Sequence, residues 1–164
     1  MSRSGKNKAV KHQNEIRDLI RLIFCPPFHE DDVLSRPMGQ SGSDIILTPA
    51  IRNVVPFSIE CKRHEDKTWK GTYKKSFEQA FNCDYIPLLV RRKNRSGNHY
   101  FSRLDDILNI HPLLMKDCKL IAHDNLKTFS CSTKTCIMIY NNYVHFNDKK
   151  FLEVLTCLKK SYSQ

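Results

Sequence analysis

The chain has 164 residues, 27 Lys+Arg against 17 Asp+Glu, a formal charge of +10 and a pI near 9.3. That length suits one compact domain, and 40% hydrophobic residues with nine Phe exclude wholesale disorder, while only five Gly exclude a collagen-like or linker-like chain. The longest apolar runs, Ile86–Val90 and Cys136–Tyr140, are too short to cross a bilayer. No leader pattern marks the start, so a cytoplasmic, reducing location without a membrane partner is expected.

Residues 1–14 carry Arg3, Lys6, Lys8 and Lys11 without an acid, which predicts a flexible basic arm. From about Lys11 to Phe24, Ile16, Leu19, Ile20 and Ile23 recur at i, i+3, i+4 and i+7, the spacing of an amphipathic helix. Cys25-Pro26-Pro27 ends it, because proline disfavours helix in the residue before it and lacks an N–H. Residues 28–43 are a polar stretch that closes in the glycine- and serine-bearing loop Arg36-Pro37-Met38-Gly39-Gln40-Ser41-Gly42-Ser43. Asp44–Thr48 reads as a short buried strand, and Pro49–Val55 as a turn. Pro56–Lys62 alternates apolar and polar, as a half-buried strand does.

Trp69, Tyr73, Phe77, Ala80 and Phe81 predict a helix over 67–83. Strands follow at Ile86–Arg91 and His99–Arg103, then a short helix at Leu104–Ile110. In the tail, Cys136–Tyr140 and Tyr143–Phe146 flank Asn141-Asn142 as a hairpin, and Phe151–Lys160 forms a closing helix. This order predicts an α/β fold with a mixed central sheet flanked by helices. The expected division is a basic arm at 1–14, a core at 15–111 and a small C-terminal extension at 112–164.

A surplus of ten positive charges attracts polyanions, of which nucleic acid is the commonest, although ribosomal, capsid-lining and membrane-surface proteins share it. The seven cysteines form no close-spaced ladder and read as reduced, buried thiols. Cys131 and Cys136, with His123 and His145 some way off, lack the CxxC spacing of a zinc site.

Glu60-Cys61-Lys62 carries the chemistry. Residues i and i+2 of a strand share a face, so Glu60 and Lys62 project together, with Ser58 beside them, while Phe57, Ile59 and Cys61 point into a core. Asp44 starts the preceding strand and approaches Glu60 if the two strands pair. Two converging carboxylates repel unless a proton or cation lies between them, and such hard oxygen ligands suit Mg²⁺ or Mn²⁺. A lysine beside them can stabilise charge on a phosphate under attack. The triplet alone is common: Glu65-x-Lys67, Asp117-x-Lys119 and Asp148-x-Lys150 repeat it. Its setting, at the end of an alternating strand and after an Asp preceded by a glycine-bearing loop, distinguishes Glu60-x-Lys62.

Ser43-Asp44-x15-Glu60-x-Lys62, after a helix bearing Glu15, resembles the PD-(D/E)XK nuclease superfamily. Within it, the layout is most similar to archaeal-type Holliday junction resolvases and related phage-encoded endonucleases. Arg36–Glu65 carries most of the resemblance, helped by Gln79-Ala80 and the strand from Ile86, and nothing in it covers 113–164. It implies a restriction-endonuclease-like core and Mg²⁺- or Mn²⁺-dependent hydrolysis of DNA that leaves a 5′-phosphate and a 3′-hydroxyl. Carried across, Asp44, Glu60 and the backbone carbonyl of Cys61 would be metal ligands and Lys62 the catalytic lysine. Glu15 would complete the metal site, and Gln79 would position water or phosphate. The residue before Asp44 is Ser43 rather than proline, at a position the superfamily varies.

Arg36, Ser41, Ser43, Arg63, Lys67, Lys70, Arg91 and Arg92 surround the expected centre as candidate DNA contacts, which hold phosphates without reading bases. A resolvase cuts two strands, so a homodimer acting on branched DNA is expected, with a phage or mobile-element origin suggested by the resemblance alone. The alternatives are a sequence-specific restriction- or homing-type nuclease, and a non-catalytic basic DNA-binding module.

Overall fold

The computed structural model describes residues 3–63, 85–92, 97–110, 118–123, 126–131, 136–140 and 143–163. Helix α1 (Arg3–Phe24) leads through a 3₁₀ turn (Glu30–Asp32) into β1 (Val33–Ser35), β2 (Ile45–Leu47) and the single turn α2 (Pro49–Arg52). Then come β3 (Phe57–Arg63), β4 (Ile86–Arg92), β5 (Asn98–Arg103) and α3 (Leu104–Ile110). The chain finishes with β6 (Cys118–His123), β7 (Leu126–Cys131), β8 (Cys136–Tyr140), β9 (Tyr143–Asn147) and α4 (Asp148–Tyr162). The expected helix over 67–83 lies outside the described residues.

The main sheet is mixed, in the order β3-β4-β5-β9-β8-β7-β6, with β3 and β4 parallel and each remaining neighbour pair antiparallel. One face of it carries Phe57 and Ile59, Leu88 and Val90, Tyr100, Val144 and Phe146. These are buried against Ile16, Ile20 and Phe24 of α1, Ile107 of α3, and Phe151, Val154 and Leu155 of α4. Burying each such side chain contributes about 1.5–3 kcal/mol. Tyr100 stacks on Phe151 with ring centroids 4.2 Å apart, and Phe57 approaches the same ring at 6.3 Å.

Three expectations need correction. First, residues 3–14 are not a flexible arm: they are the first turns of α1, and His12 and Gln13 within them are buried. Their side chains bond to β5 and to the 36–44 loop, which fixes the helix upstream of its apolar stripe. Second, β2 pairs antiparallel with β1, inside the stretch read as polar, and not with β3. Third, the tail is continuous with the core. The expected β8–β9 hairpin forms, with Tyr140 opposite Tyr143, and β9 pairs with β5 so that the tail extends the sheet. Val144 and Phe146 supply the apolar surface that α4 covers, so sequence distance from the motif does not make this segment peripheral.

Two ties fix the ends of α1 and α4. The Lys159 ammonium donates to the Ile23 carbonyl in the last turn of α1, where free carbonyls favour a cation. Asn147 caps α4, its side chain accepting from the Lys150 N–H at 3.2 Å. Among the described residues no helix is long and apolar enough to cross a membrane.

Candidate metal and phosphodiester site

β3 is an edge strand, and its burial changes along its length. Phe57, Ser58 and Ile59 are buried on both faces, whereas Glu60 to Arg63 open progressively to solvent. Asp44 docks on the free edge at this transition. Its N–H donates to the Ile59 carbonyl at 2.9 Å, and its Oδ2 accepts from the Cys61 N–H at 2.7 Å. The Cys61 N–H thus faces away from β4. In an extended residue the carbonyl lies on the same side as the N–H, so the Cys61 carbonyl belongs to the edge that Asp44 occupies.

The rest of Asp44 is held equally firmly. Its carbonyl accepts from the Arg36 N–H at 2.8 Å and from the Gln13 side-chain amide. Ser43, the residue before it, shares a hydroxyl–hydroxyl bond of 2.6 Å with buried Ser58, and the Ser43 carbonyl accepts from Arg36 Nε at 2.7 Å. Gly42, at φ +110°, lies under the Arg36 guanidinium: a Cβ there would meet it at 3.0 Å. The loop therefore needs glycine both for its backbone conformation and for the close approach of Arg36.

Glu60 and Lys62 project from the same face and form an ion pair. The Asp44 pKa is pushed up from 3.8 to about 6, first by burial and then by the Glu60 carboxylate, against the pull of the Cys61 N–H, Lys62 and Arg36. Burial holds the Cys61 thiol well above its ordinary range, with Asp44 and Glu60 adding to the effect, so it stays protonated. Asp44 thus lies within electrostatic reach of a second carboxylate, Glu60, and of the Lys62 ammonium. Such an oxygen donor set fits a hard divalent cation, with Asp44, Glu60 and the Cys61 carbonyl as the groups able to hold it. Among the described residues no group of three or more His, Cys, Asp and Glu side chains is arranged for a metal.

The other expected residues divide. Glu15 forms an ion pair with Arg92 of β4, which occupies both residues with each other. Arg91 is 6% exposed on β4, in register between Lys62 and His99. The Ser43 hydroxyl is taken by Ser58, while Ser41 is exposed in the loop. Arg36 acts inward on the loop through its Nε. Arg63 ends β3 close enough to His12 to bear on its charge. Gln79, Lys67 and Lys70 lie outside the described residues.

Sequence reasoning missed Gln13 and His12, and it placed Ser58 beside Glu60 and Lys62 without its bond to Ser43. His12 and Gln13 stand four and three residues before Ile16, on the extension of its apolar stripe, and polar residues at buried-face positions were the available signal. His12 Nε2 pairs with Asn98 Oδ1 at 3.0 Å, and burial lowers its pKa despite that bond. Compared with protein-family models, with curated proteins and with solved structures, the chain matches none of them.

Proposed function

We propose that this protein is a divalent-metal-dependent DNA endonuclease of the PD-(D/E)XK kind, acting on branched DNA as a resolvase-like homodimer. The observation that carries this reading is the docking of the Asp44 carboxylate on the Cys61 N–H of β3, flanked in sequence by the Glu60–Lys62 ion pair, where burial and then Glu60 raise its pKa to about 6. Structural ion pairs seldom place a second carboxylate where it raises the first, because the repulsion costs stability. Functional sites accept that cost.

In this reading Asp44, Glu60 and the Cys61 carbonyl hold Mg²⁺ or Mn²⁺. When bound, the ion supplies Lewis acidity at a phosphate oxygen and favours deprotonation of water. Lys62, paired with Glu60 on the same face of β3, would offer its ammonium to a non-bridging oxygen as negative charge grows there. The net positive charge draws the polyanion to the surface, and it makes affinity fall steeply with salt. The junction preference and the dimer rest on the resemblance of Ser43-Asp44-x15-Glu60-x-Lys62 to resolvases.

The test incubates the full chain with a labelled four-way junction and with linear duplex of the same sequence, in Mg²⁺, Mn²⁺ or EDTA. Metal-dependent cutting, faster on the junction, is expected. Equal cutting of both substrates removes the resolvase-like part. Binding without cutting in either metal removes the nuclease reading and leaves a DNA-binding module.

A further inference from the structure

Gln13 is a polar side chain in an apolar position. It lies on the inner side of α1, one turn before Ile16, and is 5% exposed. A buried primary amide is costly unless both its N–H groups find acceptors. Here one nitrogen serves two carbonyls: that of Arg36 at 3.0 Å and that of Asp44. Those residues are the two ends of the glycine-bearing loop, already joined by the Arg36 N–H to the Asp44 carbonyl at 2.8 Å. The amide therefore spans the loop's mouth and ties it to the helix.

The helix at that point is itself fixed from the far side of the core. His12 bonds to Asn98 at the start of β5. Asn98 donates through its backbone N–H and its side-chain amide to Asp148 at the start of α4, at 3.1 and 3.0 Å. Gln13 thus transmits a position set by β5 and α4 to the backbone of Asp44.

We infer that Gln13 is a positioning residue for the metal ligand Asp44, holding its backbone so that the carboxylate meets the cation without rearrangement. The inference rests on the proposed metal site. Partners that orient a ligand without touching the metal are typically worth about 10- to 100-fold in metal affinity. Gln13 acts on the peptide of Asp44, not on its carboxylate. Its loss should therefore weaken cation binding more than it slows turnover once the cation is saturating.

The experiment measures Mn²⁺ binding by calorimetry at pH 8 for wild type, Gln13→Met, Asp44→Asn and Ser102→Ala, with thermal melting of each metal-free protein. Ser102→Ala removes a buried side-chain bond to the Pro87 carbonyl and serves as a control for general loosening. The expected result is an Mn²⁺ dissociation constant at least about tenfold higher for Gln13→Met. DNA cleavage at saturating Mn²⁺ should stay within a few-fold of wild type, and Ser102→Ala should leave Mn²⁺ affinity unchanged. Should Gln13→Met melt below the assay temperature, Gln13→Glu replaces it. The glutamate has nearly the same volume but turns a carboxylate toward the same two carbonyls, and the same tenfold loss is expected. Unchanged affinity in the folded Gln13 variant, with Asp44→Asn unable to bind, overturns the positioning role and leaves the metal site standing. Wild type that takes up no Mn²⁺ overturns both.

Discussion

The Cys61 N–H donates to Asp44 Oδ2 at 2.7 Å, and this bond, with that of the Asp44 N–H to the Ile59 carbonyl at 2.9 Å, joins the two halves of the candidate site. It lets the edge of β3 recruit a carboxylate from a strand that pairs elsewhere. Asp44→Asn keeps an oxygen for the Cys61 N–H and removes the charge. Cleavage in Mg²⁺ should fall at least about 100-fold, while the metal-free protein at pH 8 should melt higher than wild type. A lower melting temperature in EDTA would show that the Asp44 charge stabilises the apoprotein, contrary to the repulsion argued here.

The pH dependence of stability follows from the same carboxyl. Its folded pKa, about 6, lies above the ordinary 3.8, so between these values the folded state binds more protons than the unfolded one. Stability contributed by Asp44 therefore declines as pH rises from about 4 to 6 and is level above that. His145 works oppositely: burial, then His99, lowers its pKa from 6.5 to about 4, so its contribution is lost as pH falls through that window. These two contributions oppose each other between pH 4 and 6. Urea midpoints of Asp44→Asn minus wild type isolate the Asp44 share. The difference should grow between pH 4 and 6, stay flat to pH 8 and shrink in saturating Mg²⁺.

Removing Lys62 or Glu60 should separate chemistry from DNA binding. Lys62→Ala and Glu60→Gln should each lose at least about 100-fold in single-turnover cleavage, with junction affinity by gel shift within about threefold of wild type in Ca²⁺. Parallel loss of affinity and cleavage would mean that these side chains only bind DNA.

Gly39 and Gly42 both have positive φ, +89° and +110°, but only Gly42 has Arg36 against it. An alanine at either position meets backbone strain of about 1–3 kcal/mol. Gly42→Ala must in addition displace the guanidinium from the Ser43 carbonyl. Urea unfolding should show Gly42→Ala as the more damaging substitution. Adding Arg36→Ala should narrow the gap between Gly42→Ala and Gly39→Ala.

Asp148 gathers three donors: the Tyr100 hydroxyl at 2.7 Å and the backbone and side-chain N–H groups of Asn98. Tyr100 is fully buried, and burial with Asp148 beside it pushes its pKa far up, so it remains a donor. Asp148→Ala removes the acceptor that all three share and should cost more than Tyr100→Phe, which leaves Asp148 both of its bonds from Asn98. Each stranded buried group is worth about 1–3 kcal/mol. A double-mutant cycle on denaturant midpoints checks this, and additive effects would mean that the pair is uncoupled.

Much of the scaffold was legible because its signals were local. Ile16 and Ile20 at helical spacing, the Pro26-Pro27 stop, the alternation of Phe57 to Lys62 and the Tyr140–Tyr143 hairpin are each specified within a few residues. The shared face of Glu60 and Lys62 follows from the strand repeat alone. What escaped was non-local. Nothing near Val33 reveals that it pairs with Leu47, or near Asp44 that it meets β3 by one carboxylate and one N–H. The roles of Gln13 and of the Glu15–Arg92 pair depend on which groups the fold brings opposite them.

The placement of β9 beside β5 has a kinetic consequence. Phe151 meets Phe57 and Tyr100 across long stretches of sequence, so the core has high contact order and closes late in folding. A fragment that stops before Tyr143 leaves the β5 edge bare and the aromatic cluster uncovered, a template for aggregation and chaperone capture. Truncation from that side should therefore yield insoluble chain, not a minimal folded core.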